Sequence, residues 1–526
     1  MLERQLQQVS KLKALCQGKS SIRWLRACRL HVIPACLLAM TGCANVNPDP
    51  DYQSASQMIT ERTGVPELTP LESADRLIEE RLEGGLTIDE AVTIALANNP
   101  DFQSRFVEIG AARADVVQSR LLSNPTLSLG LQFPEGGGLT DLTVGFAQQL
   151  ADLWQIPVRR KMAEADLERT MFAVGQHAVE LAAEVRMRCY RVLALQRALE
   201  YIEENRRIVQ RSIESSEAQF HAGEVNELDV NLARTGALDV EEELIRTRGD
   251  LAQAQAELAQ SLGLGALASE LRLVDTLPID TQPVPPASML LESALDDRFD
   301  VRVAWFGVQR AEAELRLECR RFLPDVQLGF AFERSERRSL PGRKILADTA
   351  RDSIAAGRLA APTIQSRGER SLEKSQVIDA KLGPTLALAL PIFDQNQAQI
   401  AKARVRVLQA RKDYASKVNA VAAEIESAAA LAKASAELLQ FQESVGLQQA
   451  QMTVEGAEQR YRAGEENVLV LLEAQDELIK RRRANVNALR DFAVALARLE
   501  NAVGGRSVYE AAVAETALEG ESPDTE

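Results

Sequence analysis

Two hydrophobic patterns alternate along this chain of 526 residues. Short segments such as "PTLSLGLQF" carry apolar residues at every second position, which predicts β-strands. Long segments carry apolar residues every three or four positions, which predicts α-helices. We expect four strands, at about 125–133, 142–150, 324–333 and 384–393, in a chain that is otherwise mainly helical. The longest helix should reach on the order of 100 Å.

The chain is an internal duplication. A shift of 241 residues superimposes "HAGEVNELDV" on "RAGEENVLVL", together with the helical segments that follow, and a shift of 199 residues superimposes the segments before the strands. We predict a first repeat at 71–270 and a second at 290–505, joined by a Pro-rich linker at 271–289. Each repeat should contain one helix, two strands and over a hundred helical residues. The second repeat has an insert at 334–381, predicted to be a loop.

A glycine interrupts the long helical segment of each repeat, at Gly223 and at Gly464. Glycine inside a helix costs about 1 kcal/mol relative to alanine, so two glycines in matching contexts indicate breaks. Past Gly223, two sets of residues recur every seven positions, one large and one small, which predicts a coiled coil with closely packed backbones. Aromatic residues make up only 4% of the chain, which is typical of such helices.

The alternating segments have the length of membrane-spanning β-strands, which need about 9 to 11 residues. A half-buried strand of a soluble sheet has the same pattern and stays open as the alternative. Four strands cannot close a barrel, and an open edge in lipid would leave backbone groups unpaired. If these strands lie in a membrane, several chains must share one barrel.

The N-terminus is typical of an exported protein. Residues 1–42 carry seven Lys or Arg and one acid, with the apolar run "LHVIPACLLAM", as in a signal peptide. The following "MTGC" resembles the lipobox of bacterial lipoproteins, which predicts that Cys43 is lipidated; ordinary cleavage beside an unrelated cysteine is the alternative. Residues 43–70 are expected to be a linker, and 506–526 a flexible acidic tail.

Charge and chemistry exclude several functions. Removing residues 1–42 changes the formal net charge from −15 to −21, which disfavours nucleic-acid binding. Cys189 and Cys319 stand singly in helical sequence and are predicted to be small buried side chains rather than a disulfide. His177 and His221 lack metal-ligand spacing, and no nucleophile or phosphate-binding motif is present. We therefore expect that the protein is not an enzyme and that it has no cofactor and no metal site.

The sequence resembles the outer membrane factors, the TolC-like outer membrane efflux proteins of tripartite efflux and secretion systems. The duplicated layout, "NNPDF", "SNPTLSLG", "LPIFDQNQAQIAKA" and the two glycine segments carry the resemblance, and the segment from "NPDFQSRF" looks most like the heavy-metal efflux branch. The resemblance implies a homotrimer in the outer membrane, with a shared 12-stranded β-barrel and a long periplasmic α-barrel. Substrate would pass from an inner-membrane pump through a periplasmic adaptor protein, and the heavy-metal branch implies metal cations as that substrate.

The resemblance also implies roles for particular residues. Those that match the periplasmic tips, where the helices reverse and the adaptor docks, are Ala222, Gly223, Ala463 and Gly464. Those that match the constriction of the pore are Asp229, Tyr461 and Glu473. Glu466 stands where some members have a gate-locking arginine, and Val470 where they have an aspartate, so a weaker or differently held lock is expected. Solvated charges on an exposed helix face are the alternative reading of Asp229 and Glu473.

Two other functions stay open at this point. The chain could be the outer-membrane duct of a type I secretion system, or a periplasmic coiled-coil scaffold with no pore. The insert at 334–381 carries eleven Lys or Arg and six acids. It is expected to be an extracellular loop that faces anionic lipid headgroups, or else a flexible solvated loop.

Overall fold

The computed structural model describes most of the chain between Asn45 and Ser507. The described residues are 45–65, 84–133, 140–223, 226–265, 271–277, 283–336, 354–357, 378–463, 465–466, 468–505 and 507. The predicted signal peptide, Cys43, Gly464, nearly all of the insert and nearly all of the acidic tail lie outside this set.

One helix, α1 (Asp49–Thr63), precedes two copies of a single unit. The first copy contains α2 (Ile88–Asn98), α3 (Pro100–Ser119), β1 (Thr126–Gln132), β2 (Asp141–Gln149), α4 (Asp152–Ala222) and α5 (Glu227–Ser261). The second contains α6 (Ala287–Asp297), α7 (Phe299–Arg320), β3 (Asp325–Glu336), β4 (Ile378–Ala389), α8 (Gln397–Phe441), a π-helical turn (Gln442–Gly446), α9 (Leu447–Arg462) and α10 (Val468–Val503). The mainly helical fold with four strands is confirmed.

The helix α4 is the longest element, with 71 residues, and therefore extends about 105 Å. It pairs with α5, whose heptad positions pack inward as predicted: Val230, Leu244 and Leu258 of the large set are buried, as are Ala233, Val240 and Ala254 of the small set. The main apolar core lies where α4 packs on α1, α2, α3 and the end of α5. A second, smaller core lies among α6, α7, α8 and α10.

The segment before the strands is two helices in each copy, not the single helix expected. In the first copy the break falls at Asn99 and Pro100. The Asn99 side chain caps α3 by accepting the N–H groups of Asp101 (3.0 Å) and Phe102 (3.1 Å). Pro100 can begin a helix but cannot continue one, because it has no N–H and its ring meets the preceding turn.

This break is tied to the end of the helical hairpin in both copies. Asn99 donates a side-chain amide N–H to the carbonyl of Ser261 (2.9 Å), and Arg298 donates a guanidinium N–H to the carbonyl of Ala502 (2.7 Å). Ser261 and Ala502 are related by the 241-residue shift, so one contact is made twice with different donors. Beside the first, Gly263 has a φ of +74°, and a Cβ there would lie 2.6 Å from the Asn98 carbonyl oxygen. Only glycine fits this turn.

The Arg298 contact belongs to a buried ionic cluster. Arg298 pairs with Asp300 at 2.7 Å and with Glu424 at 2.8 Å, and Lys417 lies 3.1 Å from Asp300. Desolvation raises the pKa of Asp300, but hydrogen bonds from Arg298 and Lys417 outweigh it and hold the pKa below the usual 3.8. The cluster joins the break between α6 and α7 to α8 and to the end of α10.

The prediction that residues 43–70 form a linker is wrong in part, because α1 occupies most of the middle of this segment. Ala55 and Ile59 of α1 are buried in the main core, and Asp51 forms an ion pair with Arg113 of α3. The Pro-rich linker predicted at 271–289 is also shorter than expected, because α6 already begins at Ala287. At its start, Leu273 forms a parallel bridge with Leu86.

The four strands form one antiparallel sheet in the order β1-β2-β3-β4. The bounds predicted for the second pair need correction, because both strands extend into the insert, where Arg334 pairs with Ala380 and Ser335 with Asp379. The connection therefore spans 337–377 rather than 334–381. At its other end β4 stops at Ala389 rather than near residue 393, because Pro391 has no N–H for a ladder.

The two cysteines differ in their environment. Cys189 is buried in the main core, as predicted, and burial raises its pKa to about 12. Cys319 is exposed, contrary to the prediction. The inward positions of α7 at this level are taken by Leu317 and Glu318, both buried, which turns residue 319 toward solvent.

The structure predicts that Arg298→Ala is strongly destabilising. It leaves Asp300 without its buried partner, which should lower the free energy of unfolding by about 3–5 kcal/mol. Thermal unfolding in detergent checks this, with Arg302→Ala as control, because Arg302 is exposed and its guanidinium donates to the Asp296 carbonyl at 3.2 Å rather than to a buried acid. The contribution of Asp300 is present above its usual pKa and disappears as pH falls through its lowered pKa. Equal unfolding midpoints for the two variants at neutral pH would contradict the prediction.

Candidate functional site

The sheet presents an exposed apolar face. The strand register aligns Leu127, Phe146, Phe330 and Pro384 in one row across all four strands. In this row Leu127 is 75% exposed and Phe330 57% exposed. The next row, on the opposite face, contains small side chains: Ser128, Gly145, Ala331 and Gly383. An exposed apolar surface that crosses a whole sheet indicates contact with a membrane or another protein.

The edges of this sheet are open. Among the described residues, β1 pairs only with β2 and β4 pairs only with β3. Within the described part of the chain, the outer sides of β1 and β4 therefore have no strand partner. Such edges pair readily with further strands.

The first helical hairpin reverses at Gly223. Helix α4 ends at Ala222, and Gly223 has a φ of +79°, in the left-handed region that favours glycine. Its N–H donates to the carbonyl oxygens of Gln219 and Phe220, and α5 begins at Glu227. Asp229 lies in the first turn of α5, and its side chain is outside the described part of the structure.

The second hairpin reverses between Arg462 and Val468. The Ala463 N–H donates to the Gln459 carbonyl, and the Glu465 N–H donates to the Arg460 carbonyl, both at 3.0 Å. Glu466 lies 3.5 Å from the Arg460 guanidinium. Glu466, for which the sequence predicted a weaker or differently held lock, thus pairs within its own tip. The pair is largely exposed and contributes little stability.

Tyr461 joins the two tips. Its hydroxyl accepts a hydrogen bond from the Gln219 amide at 2.8 Å, and its ring packs against a small apolar cluster of the second hairpin. Glu473 is exposed on α10, and Val470 is 39% exposed. The described contacts thus bring Tyr461 to the first hairpin, and they do not join it to Glu473.

The structure adds Gln219 to the residues expected from sequence. Its amide is neutral, and it follows no periodic pattern; its one signal is that the neighbouring Phe220 matches Tyr461 under the 241-residue shift. Among the described residues, no three His, Cys, Asp or Glu side chains are placed to hold a metal ion. His177 instead lies 3.0 Å from Asp101. None of the described helices has both the length and the apolar composition needed to cross a lipid bilayer.

Comparison with known proteins assigns the family. The family model "Outer membrane efflux protein" matches residues 91–264 and 290–505, which correspond to the two copies of the unit. This chain therefore belongs to the outer membrane efflux protein family, whose members are channels of the outer membrane rather than enzymes.

Individual proteins are similar over most of their length. Protein CyaE of Bordetella pertussis is 26% identical over 467 residues, covering 83% of this chain and 87% of CyaE. A crystal structure of CusC, from a study of its folding and transmembrane channel formation, has a TM-score of 0.61 at 19% identity, covering 80% of this chain and 92% of CusC. The outer membrane protein VceC of Vibrio cholerae has a TM-score of 0.60 at 18% identity, covering 80% of this chain and 96% of VceC.

The contact between the tips predicts an effect on the pore. Tyr461→Phe removes the acceptor of the Gln219 hydrogen bond, which is worth about 1 kcal/mol. If this bond holds the tips together, the open fraction should rise about fivefold in planar-bilayer recordings. Tyr52→Phe is the control, because its hydroxyl binds the Val107 carbonyl, far along the chain from either tip. A Tyr461→Phe channel that opens like wild type would exclude this bond as part of the gate.

Proposed function

We propose that three copies of this chain form the exit duct of a tripartite efflux system. The β-strands would form a 12-stranded barrel in the outer membrane, and the hairpins a periplasmic α-barrel that receives substrate from an adaptor and an inner-membrane pump. The observation that carries the proposal is the open four-stranded sheet with an exposed apolar face. In lipid, such a sheet is stable only when its edges are paired.

The sheet topology suits closure by identical chains. All neighbouring strands are antiparallel, so β1 and β4 run in opposite directions. The β4 edge of one copy can therefore pair with the β1 edge of the next and continue the antiparallel pattern. Three copies supply twelve strands, which exceeds the eight of the smallest bacterial barrels. One face of every strand would then meet lipid and the other the pore.

The hairpins carry apolar positions that stay exposed in the described part of one chain. Leu238 and Ile245 on α5 are seven residues apart and are 70% and 66% exposed. Leu431 and Leu438 on α8 have the same spacing and are 44% and 47% exposed. A seven-residue apolar spacing is the signature of a coiled-coil seam. We assign these two stripes to contacts between neighbouring copies in the trimer.

The two tips are the proposed docking sites of the adaptor. Small residues at the turns (Ala222, Gly223, Ala463 and Gly464) would let an adaptor hairpin approach the backbone closely. The proposed constriction lies just past them, where Asp229, Tyr461 and Glu473 would each recur three times around the pore. Like charges brought together in this way favour cations over anions.

Cys43 is the proposed lipid attachment site. Five Cα-to-Cα steps separate Cys43 from Pro48, so this segment can span about 17 Å. Near Pro48, the start of α1 is held to α3 by the Asp51–Arg113 ion pair. The support for this site is the lipobox-like "MTGC" that ends at Cys43.

Heavy-metal cations are the substrate class that we propose. The resemblance of the "NPDFQSRF" region to the heavy-metal efflux branch and the acidic mature chain support this class. The metal would be cargo rather than a resident ligand.

Two neighbouring residues of β1 test the channel. Leu129→Arg places a charge on the lipid face near mid-strand, at a cost of about 2–4 kcal/mol. It should therefore lower the amount of heat-sensitive trimer found in outer-membrane fractions. Ser128→Arg places the same charge on the opposite face and should preserve assembly while changing conductance. In a channel-deficient host that expresses a heavy-metal efflux pump and its adaptor, wild type and Ser128→Arg should restore metal tolerance. Equal assembly of the two variants would contradict the barrel; tolerance to organic toxicants but not metals would contradict the substrate class.

Cys43→Ser tests the lipid anchor. Mass spectrometry of the wild-type protein should find an acylated N-terminal peptide beginning at Cys43, and the variant should lack the acyl mass. The trimer should still assemble, because the anchor lies outside the barrel and the hairpins. A wild-type N-terminus at another residue, or an unmodified Cys43, would rule out lipidation there.

A further inference from the structure

Charged side chains connect the two hairpins midway along their length. Arg482 of α10 lies 3.0 Å from Glu204 of α4, and its guanidinium carbon is 5.5 Å from the ring centroid of Tyr201. The next residue, Arg483, forms an ion pair with Glu243 of α5. We call Arg482, Arg483, Glu204 and Glu243 the arginine belt. Two adjacent arginines of the second hairpin thus hold both helices of the first.

The belt is a place where the two copies have opposite charge. Residues 480–483 read Lys-Arg-Arg-Arg, and the matching residues 239–242 read Asp-Val-Glu-Glu. If the two copies were identical, these segments would carry the same charge and would repel each other or not interact. The acid that pairs with Arg483, Glu243, directly follows the acidic segment, and the acid that pairs with Arg482 is Glu204 of α4. These ion pairs are only about one-third exposed, so solvent screens them less than a surface pair.

Packing between the hairpins changes at the belt. On the membrane side, Val486 of α10 is buried in the main core formed largely by the first copy. At the belt itself, Ile202, Val240 and Leu244 pack within the first hairpin. Toward the tips, Ala457, Leu471 and Ala474 pack within the second hairpin. Beyond the belt, the two hairpins therefore have independent cores.

The π-helical turn lies at the same level as the belt. Its residues are exposed or half-buried, and a Cβ on Gly446 would lie 2.7 Å from the Gln442 side-chain oxygen and 4.0 Å from Cδ of Arg481. That Gln442 oxygen is buried and accepts no hydrogen bond from the described residues. The matching stretch of the first copy, Tyr201–Asn205, is regular α-helix within α4. Helices bend most easily where the α-helical hydrogen-bond ladder is already interrupted.

We propose that the arginine belt is the fixed pivot, and the π-helical turn the joint, by which the tip half of the second hairpin moves when the pore opens. This inference rests on the proposed channel function. The belt stays closed during the movement, because its ion pairs reach both helices of the first hairpin. The contact between Gln219 and Tyr461 breaks, because it lies beyond the pivot.

Cross-linking at two levels tests the pivot. Two double-cysteine variants are made in a Cys319→Ser background: Glu204→Cys with Arg482→Cys at the belt, and Gln219→Cys with Tyr461→Cys at the tips. One short bis-thiosulfonate linker is applied to both, and conductance is recorded before and after in the same channels. The tip link should lower conductance at least tenfold, whereas the belt link should change it less than twofold. A belt link that closes the pore as fully as the tip link overturns the pivot.

Deleting one residue tests the joint. A π-helical turn holds one extra residue, so deletion of Ser444 should restore regular α-helix and keep the faces on either side in register. Ser444 is exposed, and its hydroxyl binds the Gln440 carbonyl one turn away. The deletion should lower conductance at least fivefold in a trimer of unchanged heat stability, while Ser444→Ala should stay within twofold of wild type. Wild-type conductance after the deletion overturns the joint.

If the variant that lacks Ser444 does not assemble, hydrogen exchange on the wild-type trimer tests the joint instead. Amides at 447–462 should exchange together and faster than those at 486–503. Uniform protection across residues 442–446 overturns the proposal. A wild-type protein that assembles but forms no pore overturns the channel and the pivot together, whereas a conducting wild type with a closing belt link overturns the pivot alone.

Discussion

A β-sheet edge in lipid has no water to satisfy its backbone groups, and this constraint determines the rest of the molecule. Each chain contributes a sheet with an apolar face and two open edges, β1 and β4. The antiparallel order allows other copies to complete it. Once the strands associate in a ring, the helices that continue from them are brought into a ring as well. The exposed seven-residue spacings on α5 and α8 are what such a ring requires.

The two copies share one fold, and the differences between them are the features to which we assign function. Asn99 and Arg298 fasten matching junctions with different chemistry: the first uses a neutral amide, and the second uses a cation that needs Asp300 and Glu424 nearby. The second copy alone has the long connection between strands, and among the described helices it alone has a π-helical turn. It thus keeps the fold of the first copy while providing the parts to which we assign movement.

Much of the fold could be predicted from sequence, because alternation and heptads are local patterns that survive in a single chain. The strand ends could not, because polar residues such as Glu333 and Lys381 pair across β3 and β4 where no alternation marks them. Helix α1 was missed because its polar sequence is held by partners far along the chain, such as Arg113. At the tips, the turns were visible as glycines, but the Gln219 contact of Tyr461 depends on packing between hairpins.

The unequal copies also bear on the symmetry of the open pore. A trimer of this chain would arrange six hairpins around its axis, of which three contain an interrupted helix and three an uninterrupted one. Hairpins with and without the π-helical turn would then alternate around the circumference. A tube built in this way cannot dilate as a regular hexagon. Its mouth would widen as a triangle, with three corners that move outward and three sides that stay in place.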